Sequence, residues 1–395
     1  MAKPTEPKRF LGIFYPRQNS GRLSVTCLVN VLVILVLGLI MLFSASYATG
    51  YYRFGDSYHF ILPQCMYAVL GIIVMYLVSW VDYRWIRNLT WQVYGISLLL
   101  LVAVLFMEPI NGCRRWINLE HIPTLQASEV AKFSLILTVA HLMDHNKRRI
   151  KSFFYGAVLP ALFILPFWGL LYLEPHYSAM ILMACILATM LYCGGTAKRW
   201  FFAGIAGGLL FGTIFLFTRP GYIQERLNSW IGQDDMLYQT RQSLYSISSG
   251  GLLGLGVGNS RQKHLWLPEA TNDFIFAVLC EEMGFVGALV CILLFAAFII
   301  HGFSLAASAP DRFGSLLCVG ITAQIAWQVL FNIAVVTDSA PNTGISLPFF
   351  SSGGTSLVML LAEIGVLLSV SRECDRTKKE EEEKIRLLEK KRDLL

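Results

Sequence analysis

Ten stretches of this 395-residue chain are apolar for long enough to cross a bilayer as helix. A hydrocarbon core of ~30 Å takes about 20 residues at 1.5 Å per residue. The stretches are 22–48, 60–81, 89–107, 126–144, 154–173, 178–194, 199–218, 272–303, 314–336 and 350–370. The runs are unbroken rather than alternating, so helices are expected and barrel strands are not. Composition agrees: 55% of residues are hydrophobic and 15% charged, where a soluble domain carries roughly 25% charged residues. The first stretch is too long and too far from the start for a cleaved signal peptide. The expected fold is an all-α polytopic membrane protein of about ten transmembrane helices.

Basic residues set the expected orientation. With the N-terminus in the cytoplasm, 23 of the 32 Lys and Arg fall in inside segments and 8 in outside segments, with Lys132 inside a span. That asymmetry places both termini in the cytoplasm. The net charge of +6 is then a matter of topology and anionic lipid, and nucleic-acid binding has no support. The nine cysteines are scattered without a CxxC pair, and only Cys113 falls in an outside loop, so no disulfide framework is expected.

Three regions lie outside the spans. Residues 1–21 form a polar, basic lead-in. Residues 371–395 form a charged tail whose Lys, Glu and Leu pattern continues the last helix or makes a short helix of its own. Residues 219–271, between the seventh and eighth spans, form a large extracytoplasmic loop. Its apolar residues recur at helical intervals (Leu227, Trp230, Ile231; Leu237, Tyr238, Leu244, Tyr245), which predicts short amphipathic helices on the outer membrane face.

Against this background the polar residues at span ends stand out. Asp273 opens the eighth span on the outer side, and a carboxylate at the mouth of a membrane helix is costly enough to be a functional candidate. Glu129 and Lys132, three residues apart at the outer end of the fourth span, share a helix face and can pair. Pairing alone accounts for them structurally; a lysine meeting an anionic substrate while Glu129 holds it is the functional reading. Glu174-Pro175-His176 follows the fifth span, where the proline favours a bend that lines a cavity. Arg114-Arg115-Trp116 lies in a short outer loop against the charge trend, which suits phosphate or carboxylate recognition or headgroup anchoring. Glu281 and Glu282 precede Gly284. The stretch 272–303 is long for one crossing, so residues 272–283 are expected to be interfacial or re-entrant, with the true span starting near Gly284.

Two glycine-rich runs complete the pattern. Gly250 to Asn259 lacks the preceding strand and the Lys-Ser/Thr of a nucleotide loop, so it reads as a flexible turn allowing close backbone approach. Pro341 to Ser356 opens the last span with Pro, Gly and hydroxyls, and its backbone N–H groups are expected to be free to hold an anion. No HExxH, GxSxG or clustered His/Cys set is present, so zinc chemistry and serine hydrolysis have no support. The residues alone describe an outward-facing cavity with one acid, several cations and glycine turns, suited to a lipid-linked anionic substrate.

The motifs NGCRRWI (111–117), SEVAK (128–132), SGGLLGLGVGNSRQKHLWLPEATNDFIFAVLCEEMG (249–284) and PNTGISLPFFSSGGTS (341–356), in that order and membrane context, closely resemble the SEDS family of RodA, FtsW and SpoVE. The resemblance covers residues ~20–372 and looks closer to the FtsW/SpoVE side. It implies a peptidoglycan glycosyltransferase that polymerises lipid II outside the cytoplasmic membrane beside a class B penicillin-binding protein, a transpeptidase, and other membrane proteins of the cell-wall or division complex. It implies Asp273 as the catalytic residue. The substrate-binding candidates are Glu129, Lys132, Arg114, Arg115, Trp116, Glu174 and His176, with Gln242 in the long loop and Ser351 and Gly353 in the last glycine-rich run. No cofactor is assigned; Arg114, Arg115, Lys132 or a divalent cation, Mg2+ or Mn2+, would compensate the leaving pyrophosphate. Two departures stand out: Thr271-Asn272 replace the family's His-Thr, and Glu174-Pro175-His176 replaces Glu-Pro-Asp. A lipid II flippase and a non-catalytic scaffold are the rival readings. Against transport, no internal repeat is evident and the polar residues gather on the outer side.

Overall fold

Each of the ten expected stretches is occupied by helix in the computed structural model, which describes residues 21, 23–108, 114–119, 122–218 and 238–392. In chain order the helices are α1 (Val25–Phe54), α2 (Ile61–Trp80), α3 (Tyr83–Asn88), α4 (Thr90–Leu105), α5 (Ala127–His145), α6 (Leu159–Leu173), α7 (Tyr177–Cys193), α8 (Lys198–Thr218), α9 (Tyr238–Gly250), α10 (Ile275–Ser308), α11 (Arg312–Val336) and α12 (Gly354–Arg392). A π-helical turn, Phe154–Val158, leads into α6. Among the described residues, six segments are long and apolar enough to cross a membrane: α1, α2, the π-turn with α6, α10, α11 and α12, while α4 and α7 are shorter apolar helices. The lead-in before residue 21, Asn111 to Cys113, and Leu227, Trp230, Ile231 and Leu237 of the long loop lie outside the described residues.

The helices sort by how much of their surface is covered. α5 and α11 are buried on almost every side and form the centre of the bundle. α1, α2 and α4 bury one face and turn Val, Ile, Leu and Met outward; Leu62, Met66 and Leu99 are 64, 68 and 70% exposed. An apolar rim around a partly polar centre is the reverse of a water-soluble bundle and fits a hydrocarbon solvent. The last helix continues without a break into the charged tail, as the Lys/Glu/Leu pattern allowed.

At the end of the bundle where α11 begins, polar side chains tie the elements together. Arg84 of α3 reaches Asp311 at 3.1 Å and Glu373 of α12 at 2.9 Å, and the Tyr83 hydroxyl donates to Asp311 at 2.7 Å. Asp311 also caps α11 by accepting from the Gly314 amide. Burial pushes the Asp311 carboxyl up, but the Gly314 amide, Tyr83 and Arg84 outweigh it and hold it below its usual value.

Two features depart from uninterrupted helix. Between α4 and α5 the chain makes an antiparallel hairpin, β1 (Trp116–Leu119) and β2 (Ile122–Gln126), so the fold is not purely helical. And α10 breaks at Gly284 (φ 65°, ψ −167°), where the true span was expected to start. A break inside a membrane helix strands backbone groups that lipid cannot satisfy. The glycine-rich turn satisfies them here. Leu255 and Gly256 donate N–H bonds to the carbonyls of Glu281 and Glu282, while the carbonyls of Gly251 and Leu252 accept from Phe285 and Val286. A Cβ on Gly254 would stand 2.2 Å from the Glu282 carbonyl oxygen, so only glycine allows this approach. The close approach was legible in the sequence; the turn is a fitted cap rather than a flexible link.

The two glutamates before the break are fully engaged. Glu282 pairs with Lys263 at 2.9 Å and with the Ser44 hydroxyl at 2.6 and 2.7 Å. Glu281 accepts from the Ser260 hydroxyl and from the amides of Arg261 and Gln262. Both belong to the internal scaffold that joins the loop 251–271 to α1 and α10.

Candidate functional site

Asp273 sits two residues before α10 and is half-buried. Its backbone and that of its two predecessors are pinned to the 341–353 segment. Asn332 of α11 donates through one Nδ2 to the Asp273 carbonyl (2.7 Å) and the Ile345 carbonyl (2.9 Å). The Ser351 hydroxyl donates to the Asn272 carbonyl at 2.7 Å, and the Ser352 amide to the Thr271 carbonyl at 2.9 Å. Gln64 of α2 clamps the far side, donating to the Ser351 carbonyl and accepting from the Gly353 amide. The Asp273 carboxylate lies over Gly344, where a Cβ would come within 3.3 Å of Oδ2, and Gly344 has φ +69°.

This arrangement narrows one expectation. The amides of Gly344, Leu347, Phe350, Ser351, Ser352 and Gly353 all donate within the protein. These six amides are committed to a bonded platform for Asp273 and are not free to hold an anion.

Gly344 also lines a small pocket, open to solvent, shared with Glu129, Lys132, His176, Ser178 and Gln328. A second pocket meets it at Glu129, Gln328 and Ser346 and extends to Ser351 and Ser356. Glu129 and Lys132 are paired at 2.8 Å with side chains 10 and 3% exposed, so neither charge is stranded. Around them several buried polar atoms have no protein partner: Ser128 Oγ, His176 Nδ1, Glu174 Oε1, Arg115 Nε and Gln328 Oε1. A native wall leaves such atoms open where water or a polar ligand meets them.

The α6–α7 turn carries Glu174 and His176, 1 and 7% exposed. Burial pushes the Glu174 carboxyl up to about 8, with Arg115 pulling the other way. Burial, then Arg115 and Lys132, hold His176 well below its ordinary value, so its ring is neutral. Arg115 ties the hairpin to this turn by donating to the Pro175 carbonyl at 2.8 Å.

The structure therefore gathers Asp273, Glu129, Lys132, His176, Glu174, Arg115 and Ser351 at one end of the bundle. It does not bring in every candidate. Arg114 is exposed and donates to the Leu105 carbonyl at the end of α4. Trp116 is spent in β1, opposite Gln126. Gln242 is buried on α9 and lines neither pocket, although its neighbour Gln239 accepts from Asn342. Gly353 donates its amide to Gln64, accepts at its carbonyl from the Ser356 hydroxyl and the Leu357 amide, and lines neither pocket. The sequence reading missed Gln324, Gln328 and Asn332, yet they recur every four residues along α11 and so form one polar stripe on its face. Among the described residues no three or more His, Cys, Asp or Glu side chains cluster for a metal.

Comparison with known proteins places this geometry. Stage V sporulation protein E of Bacillus subtilis is 39% identical over 350 residues, covering 86% of this chain and 94% of that protein. A probable peptidoglycan glycosyltransferase FtsW of Geobacter sulfurreducens is 35% identical, covering 85% and 91%. Among solved structures, a chain from a peptidoglycan synthase complex that coordinates polymerization and crosslinking superposes with a TM-score of 0.75 at 26% identity, covering 89% of this chain and 98% of its own. The rod shape determining protein RodA of Thermus thermophilus gives 0.66 at 28% identity, covering 89% and 97%. The family match itself runs from residue 25 to residue 376, almost the whole helical bundle, and the chain belongs to the FtsW/RodA/SpoVE family of cell cycle proteins.

Proposed function

We propose that this chain is a peptidoglycan glycosyltransferase that polymerises lipid II into β-1,4-linked glycan, with Asp273 as its general base. The observation that carries the reading is the pinned Asp273 beside a pocket with a paired Glu129–Lys132 in its wall. Asp273 takes the proton from the acceptor's GlcNAc 4-hydroxyl as that oxygen attacks the anomeric carbon of the donor MurNAc. The bond to undecaprenyl pyrophosphate breaks, and the configuration inverts from α to β. One carboxylate suffices, because the pyrophosphate leaves without a proton when cations meet its charge, whereas glycosidases need two. Lys132 and Arg115 are the cations at hand. A divalent cation, Mg2+ or Mn2+, would supply further positive charge to the leaving pyrophosphate, and among the described residues no cluster of three or more His, Cys, Asp or Glu would hold it unaided.

The same reading places ten crossings in a bacterial cytoplasmic membrane, both termini inside, and Asp273 outward. It makes a class B penicillin-binding protein the partner that crosslinks the product, within a larger division or cell-wall complex. The test is polymerisation of labelled lipid II by purified wild type and Asp273→Asn, each with and without a class B partner and Mg2+ or Mn2+. Polymer from wild type and a loss of at least about 10²-fold in the variant is expected for removal of a general base. Polymer from both rejects Asp273 as the base. Transfer of labelled lipid II across liposomes without polymer moves the reading to a flippase.

A further inference from the structure

Beyond the pockets, the most demanding group in the bundle is Glu363. It stands mid-helix in α12, in the run Leu360-Leu361-Ala362-Glu363-Ile364-Gly365, and is 2% exposed. It lines neither pocket. An ionised carboxyl at such a depth is expensive unless another charge meets it. Its Oε2 accepts from Gln324 Nε2 at 2.8 Å, and its Oε1 is buried without a hydrogen-bond partner. The Oε1 of Gln324 is equally without a donor, and so is that of Gln328, one turn further along α11.

Few charges are near enough to help. Lys132 and Glu129 of α5 act on Glu363, and these two are already closed on each other at 2.8 Å. α2 has no acidic or basic residue and presents Gly71 to Leu361 and the Met75 carbonyl to Gly365. α11 carries only Arg312, in its first turn. Beyond Gly284, α10 carries only His301, which is bonded to Ser24. With both carboxylates ionised the group of Glu129, Lys132 and Glu363 holds one uncompensated negative charge.

A single proton removes both difficulties. On Oε1 of Glu363 it neutralises the group and turns an orphaned acceptor into a donor, which an amide oxygen on α11 can accept. Gln324 supplies the other half of an acid–amide pair through its Nε2. A metal cation would balance the charge as well, but it needs a full shell of oxygens where the structure offers a few amide and carboxyl atoms.

We propose that Glu363 is a proton-binding site inside the bundle, a neutral carboxylic acid that donates from Oε1 to the amide oxygen of Gln324 or Gln328. Its proton keeps Lys132 committed to Glu129, because an ionised Glu363 would compete for the same ammonium. The site rests on burial and bonding and stands independently of the transferase reading.

Infrared spectroscopy of the purified full chain at neutral pH tests it, with Glu363→Gln, Glu363→Asp and Glu174→Gln alongside, since Glu174 also holds its proton near neutrality. The expected spectrum has a protonated-carboxyl C=O band that shifts in D2O and survives Glu174→Gln; in the Glu174→Gln background it moves on adding Glu363→Asp and disappears on adding Glu363→Gln. Glu363→Gln should keep the thermal midpoint of the wild type and its polymer yield within about twofold, because the neutral isostere retains the pairing. Absence of any such band from wild type overturns the proposal whether or not the variants fold. So does a band that persists when Glu363→Gln is combined with Glu174→Gln. A thermal midpoint that rises with sodium in wild type but not in Glu363→Gln assigns the site to a metal cation instead.

Discussion

Glu129 and Lys132 hold opposite charges out of water, and neither is tolerable there alone. Lys132→Met strands a buried carboxylate and Glu129→Gln a buried ammonium; each is expected to cost about 3–5 kcal/mol of stability. The double variant removes both charges and is expected to recover most of that loss while staying inactive, a coupling that thermal or denaturant unfolding of the four proteins in detergent measures. Glu174 behaves differently because its burial outweighs the pull of Arg115. Its carboxyl keeps a proton up to about pH 8 in the folded protein and releases it near 4.5 when unfolded. The folded state therefore binds more protons between those values, and stability falls as pH rises from about 4.5 to 8. Glu174→Gln is expected to flatten that slope in a series of thermal midpoints. Asp273, Glu129, Lys132 and Glu174 were legible because a charge at the edge of an apolar run is conspicuous. Lys263, Asn332 and Glu363 were not. Lys263 lies among polar loop residues and its partner Glu282 is 19 positions away; an amide such as Asn332 draws no attention until its two backbone acceptors are seen.

At the scale of elements, positions follow from apolar length, and irregularities follow from backbone satisfaction. The helices could be placed because each needs its own run of apolar residues. The β1–β2 hairpin could not, since its residues carry no alternation long enough to signal strands. The break at Gly284 was legible as excess length, but its remedy, a turn more than 25 residues upstream, depends on tertiary contact. Gly254→Ala is expected to be among the most damaging small substitutions in the chain. It forces a methyl against the Glu282 carbonyl and a side chain into φ +79°, at a cost of about 1–3 kcal/mol for the backbone conformation alone. Gly258→Ala, at φ +90° with open space around it, incurs strain without a clash and should be milder, as paired thermal midpoints will show. Asn332→Ala removes the donor shared by the Asp273 and Ile345 carbonyls. It is expected to lower polymerisation turnover by about tenfold or more with KM little changed, the signature of a displaced general base.

The whole molecule separates its two ends by chemistry. One end carries the pinned Asp273, the hairpin and the pocket; the other carries the Arg84, Asp311 and Glu373 network and the start of the charged tail. Orientation is checked with single cysteines introduced at Tyr245 and Glu389 in a cysteine-free background. A membrane-impermeant maleimide on intact cells is expected to label the first and spare the second. The glycine turn over the broken helix also carries a lesson about biogenesis. Residues 250–258 precede α10 in the chain, so a ribosome delivers the cap before the helix that needs it. When the two halves of α10 emerge, the amides of Leu255 and Gly256 and the carbonyls of Gly251 and Leu252 already exist to receive them. A chain permuted so that this turn is synthesised after Ser308 would have to insert a helix with an open break, and insertion itself, rather than the finished fold, would be the step that fails.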